Sequence, residues 1–349
     1  MALDEPLLMH INNNVFLRDQ TLFIVDRRYL PAQIVELVCN DYEDVAKAIE
    51  TMAVQGAGDI AVTAAYGLYL AAVHIENHLQ CNTEETRQLL LTASNRLIAT
   101  RPTGFHLKAL LGKMIARINW EEAGCSGQLL TSIKQAISQQ QLCAELTGKW
   151  GNTILEDGDC ILTHCFPGAG LLYMLKAAKE QNKQIKVIST ETRPYLQGAR
   201  LTAWSVSELG IPVTLITDNM AAYCMSQGLV TKVFTAADRI ALDGTIANKV
   251  GTFQLAIAAA YHHIPFYILG YGGPDKRCAV GKEIPIEFRN SEEVLAINGI
   301  KTTGENVKGF YPAFDLTPPE LVTAIITDRG KIAPDEVNTY RSLPVKYLF

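Results

Sequence analysis

The sequence predicts an α/β protein, with a helix-rich N-terminal domain over residues 1–150 followed by a Rossmann-like, doubly wound parallel-sheet domain over residues 151–349. Three observations predict it. At 349 residues the chain exceeds one typical domain of about 100 to 200 residues. Apolar positions recur at three and four residues through most of the first part, the period of an amphipathic helix. After Glu156-Asp157-Gly158-Asp159 the texture changes to short β-branched runs alternating with helical stretches, the pattern of βαβ units.

The elements follow in order. Val15-Phe16-Leu17 and Leu22-Phe23-Ile24-Val25 flank the turn-forming Arg18-Asp19-Gln20, which predicts a hairpin. Helical periodicity covers 45–52, 60–73, 89–98, 107–118 and 129–146. Strands are expected over 160–165, 185–189, 213–216, 232–236 and 266–269, and helices over 171–180, 199–209, 220–227 and 249–262.

Composition narrows the function. With 48% hydrophobic and 19% charged residues the chain is globular rather than disordered, and a net charge of -5 supplies no field for a phosphate backbone, so nucleic acid is not the expected partner. The apolar run 60–73 is interrupted by Thr63 and closed by His74 and Glu76, short of the ~20 residues a bilayer span needs, so a buried helix and no membrane association are expected. Acidic residues stand where a signal peptide would be basic, giving an expected cytoplasmic address. Eight scattered cysteines without a C-x-x-C suggest reduced, mostly buried thiols and no metal site.

In open parallel sheets ligands gather beyond the carboxyl ends of the strands, which here present His164-Cys165, Thr190-Glu191-Thr192-Arg193, Thr217-Asp218-Asn219 and Ala237-Asp238-Arg239. Cys165 precedes Pro167-Gly168-Ala169-Gly170 and a helix start, where backbone N–H groups can lower a thiol pKa; otherwise it is a small buried hydrophobe. Cys160, an odd number of positions away, points to the opposite face if the strand is regular. Asp238 lies in an apolar stretch suited to acid or base work or to a salt bridge with Arg239, whereas Asp218 reads as a helix cap. Lys249, with Asn248 beside it, and Arg101 each precede a helix, where a cation is unfavourable unless it meets a bound anion.

Other patterns are weaker. Gly56-Ala57-Gly58-Asp59-Ile60-Ala61 matches a dinucleotide fingerprint in form but follows a helix, and Gly168-Ala169-Gly170 has the right context but Tyr173 at the close-packing position. His74 and His78 share a helix face without further metal ligands in view.

Several ordered blocks together resemble the methylthioribose-1-phosphate isomerase family, which is related to ribose-1,5-bisphosphate isomerases and to regulatory subunits of a translation-initiation exchange factor. Its carriers are Asp26-Arg27-Arg28-Tyr29-Leu30-Pro31, Thr63-Ala64-Ala65-Tyr66-Gly67, Arg101-Pro102-Thr103, Thr163-His164-Cys165, the run from Glu191 to Trp204, Asp218-Asn219-Met220-Ala221-Ala222, Ala237-Asp238-Arg239-Ile240-Ala241, Ala247-Asn248-Lys249-Val250-Gly251-Thr252 and Pro312-Ala313-Phe314-Asp315-Leu316-Thr317-Pro318. The resemblance implies aldose-to-ketose isomerisation of a small sugar 1-phosphate, without metal or cofactor, in a homodimer. It implies Cys165 and Asp238 as the acid/base pair and Gly56, Ala57, Arg101, Gln197, Asn248 and Lys249 as substrate contacts. A non-catalytic regulatory relative of the initiation-factor subunits is the alternative. Two departures stand out: the family's Arg-Gly-Ala-Pro block is Gln55-Gly56-Ala57-Gly58 here, and its Cys-Asn-Ala-Gly block is Cys165-Phe166-Pro167-Gly168.

Overall fold

The structure is a computed structural model and describes residues 5–101, 104–122 and 124–343; Pro102 and Thr103 of the Arg101 block lie outside the described residues. The chain forms two compact units, His10–Gln141 and Met1–Met9 with Leu142–Phe349.

In the first of these, β1 (Val15–Arg18), β2 (Thr21–Val25) and β3 (Glu36–Cys39) form an antiparallel sheet in that order. Asp19 and Gln20 make the hairpin turn with φ of 48° and 68°, the left-handed pair whose twist matches that of its strands. β3 was not expected. Four helices follow, α1 (Tyr42–Glu50), α2 (Ala57–His78), α3 (Thr83–Ala99) and α4 (Phe105–Ile115), and then α5 (Cys125–Asn152), along which the division between the units falls. Caps fix the starts: Asp41 accepts from the Asp44 amide at 2.8 Å, and Asn82 and Glu85 form a capping box. The apolar α2 is long enough to cross a bilayer by length and composition alone. Instead it is the centre of this unit's core, packed with Val45, Ile49, Leu97, Leu107 and Leu111.

The other unit carries β4 (Cys160–Thr163), α6 (Ala169–Glu180), β5 (Lys186–Thr190), α7 (Trp204–Glu208), β6 (Val213–Ile216), α8 (Ala221–Ser226), β7 (Lys232–Ala236), β8 (Arg239–Ile240), β9 (Ile246–Lys249), α9 (Thr252–Tyr261), β10 (Phe266–Leu269), β11 (Ala296–Ile297), β12 (Ile300–Lys301), β13 (Phe314–Thr317), β14 (Ala324–Thr327) and β15 (Gly330–Ile332). Its main sheet runs β15-β14-β10-β7-β4-β5-β6, parallel except for β15. Alternate residues feed two cores. Ile161, Val187, Phe234 and Leu269 pack with α6 and α7, while Leu162, Ile188, Val233 and Ile268 pack with α8 and α9. Period-two alternation with helices on both faces is the doubly wound arrangement. A smaller antiparallel sheet, β13-β9-β8, stands beside it.

Some elements differ from expectation. The helix over 199–209 begins as a π turn, Gly198–Ala203, before becoming α7. Lys249 does not open a helix: it ends β9, and Gly251, with φ of 105°, caps α9 from outside. All eight cysteines are free, but only Cys39, Cys125, Cys224 and Cys278 are fully buried.

Candidate active site

The parallel strands grow outward in opposite directions from β4 and β7, which are hydrogen-bonded neighbours, and the crevice beyond such a reversal is where doubly wound sheets bind ligands. Cys165 lies two residues past the end of β4 and Asp238 two past the end of β7. The structure brings these two together by topology. Because Cys165 has left the strand with a left-handed φ of 61°, strand alternation no longer fixes its direction relative to Cys160.

Neighbouring strand ends hold Cys165 in place. Its amide donates to Thr192 Oγ1 at 2.8 Å, and the Thr202 hydroxyl donates to its carbonyl at 2.5 Å. Thr192, itself left-handed at φ of 65°, is fixed because its amide and that of Arg193 donate to the two Asp218 carboxylate oxygens at 2.7 and 2.8 Å. Asp218 therefore braces the turn after β5 rather than capping the next helix; Thr217 is the N-cap there. His164 is buried, with Nε2 2.9 Å from the Val250 carbonyl and Nδ1 2.6 Å from Thr190 Oγ1. A carbonyl can only accept, so Nε2 carries the proton and Nδ1 accepts from the threonine. Burial lowers the imidazole pKa and keeps it neutral.

Burial also decides the state of the thiol. It pushes Cys165 up to about 11, with Asp238 acting in the same direction, and outweighs Lys249, the Phe166 amide and Arg289, which act to lower it. The sequence-based expectation of a lowered thiol pKa is overturned, because the dense surroundings of Cys165 cost the thiolate more than nearby donors return. Cys165 keeps its proton at neutral pH.

Lys249 is buried, donates to the Ala313 carbonyl at 3.0 Å, and lies 5.2 and 5.8 Å from the ring centres of Phe314 and Tyr311. Asn248 is buried beside it and donates to Thr252 Oγ1 at 3.0 Å. Asp315 accepts from the amides of Gly251 at 2.6 Å and Phe253 at 3.2 Å, so a carboxylate already occupies the start of α9. Burial raises Asp315 to about 6 despite those amides and Lys249. A Cβ on Gly251 would fall 3.0 Å from the His164 ring, besides the cost of its φ.

Gln197 is buried at the start of the π turn, and its Oε1 has no hydrogen-bond partner. The backbone there is tight: a Cβ on Gly198 would sit 1.8 Å from the Thr190 carbonyl, so only glycine fits. Tyr271, just beyond β10, pins the altered loop after Cys165 by donating to the Pro167 carbonyl and accepting from the Gly170 amide at 2.9 Å.

The remaining predicted contacts belong to the first unit. Gly56, at φ of 95°, and Ala57 begin α2; Arg27 is fully buried, donates to the Gln55 carbonyl and pairs with Asp59. Asp59 also accepts from Gln140 at 2.9 Å. The Gln55 amide donates to the Met52 carbonyl at 3.2 Å, while Arg101 reaches the Met52 sulfur at 3.1 Å. Met52 thus joins Arg101 to the 55–57 loop.

Sequence reasoning missed the roles of Arg27, Asp315, Arg289 and Tyr311. The first two stood inside recognised blocks, whereas Arg289 and Tyr311 had no local signal. Arg193, in the turn after β5, donates to the carbonyls of Val294 at 3.1 Å and Ala296 at 3.0 Å. Among the described residues no group of three or more His, Cys, Asp or Glu side chains is arranged to hold a metal ion.

Residues 53–334 match the initiation factor 2 subunit family. The chain is 42% identical over 329 residues to a methylthioribose-1-phosphate isomerase of Pelotomaculum thermopropionicum, covering 90% of this chain and 89% of that one. It is 41% identical to one of Nostoc punctiforme, covering 90% and 92%. Among solved structures it is similar to 5-methylthioribose 1-phosphate isomerase of Pyrococcus horikoshii, with a TM-score of 0.82, 33% identity and 95% of each chain covered. It is also similar to translation initiation factor eIF-2B subunit delta of A. fulgidus, with a TM-score of 0.77, 35% identity, and 92% and 96% covered.

Proposed function

The chain belongs to the methylthioribose-1-phosphate isomerases within the initiation factor 2 subunit family, and from that membership we propose that it converts 5-methylthioribose 1-phosphate to the ribulose 1-phosphate, a step of methionine salvage. The observation that carries the reading is the placement of Cys165 and Asp238 beyond the two strands where the sheet order reverses.

The phosphate masks C1, so the sugar ring must open. In the product the ring oxygen has gained a proton, the C2 hydroxyl has lost one, and the hydrogen of C2 has moved to C1. Such a reaction needs a donor and an acceptor held in a water-poor crevice. Cys165 and Asp238 divide these tasks, and a thiol that keeps its proton at neutral pH suits a pair that exchanges protons without forming a covalent intermediate. Gln197, Asn248 and Lys249 serve as substrate contacts, and the family resemblance adds Gly56, Ala57 and Arg101. The enzyme works as a homodimer in the cytoplasm without a cofactor; light scattering reads the dimer, and a monomer at micromolar concentration would remove it.

Incubation of the purified chain with 5-methylthioribose 1-phosphate, followed by NMR, tests the activity. New methylene protons at C1 are expected, and unchanged substrate overturns the reading. The likeness to the A. fulgidus subunit favours a second reading, a non-catalytic ligand-binding subunit, for which binding without turnover is the signature.

A further inference from the structure

Two short segments far from the main sheet's strand ends in sequence turn a pair of donors inward beside Cys165. The Arg289 amide donates to the Tyr311 carbonyl at 3.0 Å and the Ala313 amide to the Glu287 carbonyl at 2.8 Å, so 287–289 and 311–313 run side by side. Along both, side chains alternate. Phe288 and Phe310 face solvent with their rings 5.5 Å apart, while Arg289 and Tyr311 are buried, the arginine side chain 7% exposed and the tyrosine 3%.

Arg289 Nε donates to Glu287 Oε1 at 2.8 Å, and its guanidinium carbon lies 5.6, 5.7 and 6.0 Å from the ring centres of Tyr195, Phe314 and Tyr311. Arg289 Nη1 and Tyr311 Oη are buried within hydrogen-bonding reach of each other, and neither has another partner. When Nη1 donates to Oη, the tyrosine proton and the second N–H of Nη1 still lack an acceptor, which is costly in a buried place unless an acceptor oxygen meets them. Lys249 shares the Tyr311 and Phe314 rings with Arg289, and both cations act on the Cys165 thiol. With Arg289 Nε taken by Glu287, Lys249 and the Nη edge of the guanidinium leave the box positive, which suits an anion, and a guanidinium fork suits phosphate.

Resting on the isomerase reading above, we propose that Arg289 Nη1 and Tyr311 Oη bind the phosphate group of the sugar phosphate, as partners of Lys249. They supply a charged contact of the kind that a neutral glutamine cannot make.

The test compares wild type with Tyr311→Phe, which keeps the ring, and Arg289→Met, with circular dichroism as the check on folding. Calorimetry gives the Kd for 5-methylthioribose 1-phosphate, competition gives the affinity for inorganic phosphate, and NMR gives kcat. Both affinities weaken roughly fivefold in Tyr311→Phe and tenfold or more in Arg289→Met, with KM rising by a similar factor. A Tyr311→Phe Kd within twofold of wild type overturns the proposal. So does weakened substrate binding with unchanged phosphate affinity, which assigns the pair to the sugar, or a large loss of kcat at unchanged KM, which assigns it to the reacting atoms. Should wild type bind the substrate but not turn it over, the isomerase reading fails while the phosphate assignment is still decided by the binding constants.

Discussion

The Cys165 amide donates to Thr192 Oγ1 at 2.8 Å, a bond between residues 27 apart that ties the end of β4 to the turn after β5. Thr192 is in turn held by Asp218 after β6, so three successive strand ends fix one thiol. A side chain supported in this way meets the geometric demand of proton transfer without relying on a flexible loop.

Cys165→Ala therefore folds normally and loses isomerase turnover by at least ~100-fold, the scale of positioned acid/base catalysis. Cys160→Ala, at the other end of β4, retains most activity. Steady-state rates by NMR with both variants check this, and equal activity in Cys165→Ala and wild type removes the thiol from the mechanism.

Alkylation of Cys165 by iodoacetamide, read by mass spectrometry, is slow at pH 7 and accelerates as pH rises towards about 11, where burial has pushed the thiol. The folded state holds this proton more tightly than the unfolded chain, whose thiol titrates near 9. Its contribution to stability is accordingly full below pH 9 and is lost as pH rises through about 11. A midpoint below 8 would contradict the burial argument.

Asp238→Asn keeps the shape of the side chain and removes its ionisable proton. It depresses kcat far more than it raises KM, and one limb of the kcat pH profile disappears. Unchanged kcat would make Asp238 a structural acid.

Asp315 titrates near 6 instead of 3.8, because it is buried against the start of α9. Above pH 6 it is ionised and grips the Gly251 and Phe253 amides; below, protonation weakens that grip and loosens the backbone that carries Lys249. KM for the sugar phosphate rises as pH falls through about 6, and Asp315→Asn flattens this step. In stability the sign is opposite: the raised carboxyl pKa gives a contribution that is full below about 3.8 and lost as pH rises through 6. Kinetics and denaturation across pH 4 to 8 separate the two effects.

How much of this was legible in the sequence depended on range. The strands 213–216, 232–236 and 266–269 match β6, β7 and β10 because β-branched runs between turn signals are a local signal. β3 was missed because Glu36-Leu37-Val38-Cys39 is short and mostly solvent-facing. The Ala-rich run after Lys249 predicts a helix from that residue, whereas the left-handed Gly251 delays it until Thr252. Strand ends brought Cys165 and Asp238 into view among several polar residues, and the family resemblance singled them out as a pair. The bond of Asp315 to Gly251, 64 residues apart, and the inward turn of Arg289 and Tyr311 arise only when distant segments pair, and no periodicity announces them.

Gln55 stands where the family block carries arginine. The structure shows why the exchange is not neutral: Gln55 is buried, its amide is bound to the Met52 carbonyl, and the Arg27 guanidinium already lies against this loop with Asp59 as its carboxylate. Gln55→Arg adds a longer side chain and a second cation next to the partly buried Asp59 carboxylate, which is already paired, so the free protein loses on the order of 1 to 3 kcal/mol. A bound phosphate would relieve that repulsion. Thermal melts with and without 5-methylthioribose 1-phosphate therefore show a lower Tm for the free variant and a larger ligand-induced rise than in wild type. If the rise is smaller instead, the loop at Gln55 does not face the phosphate, and charge at position 55 has no part in substrate binding.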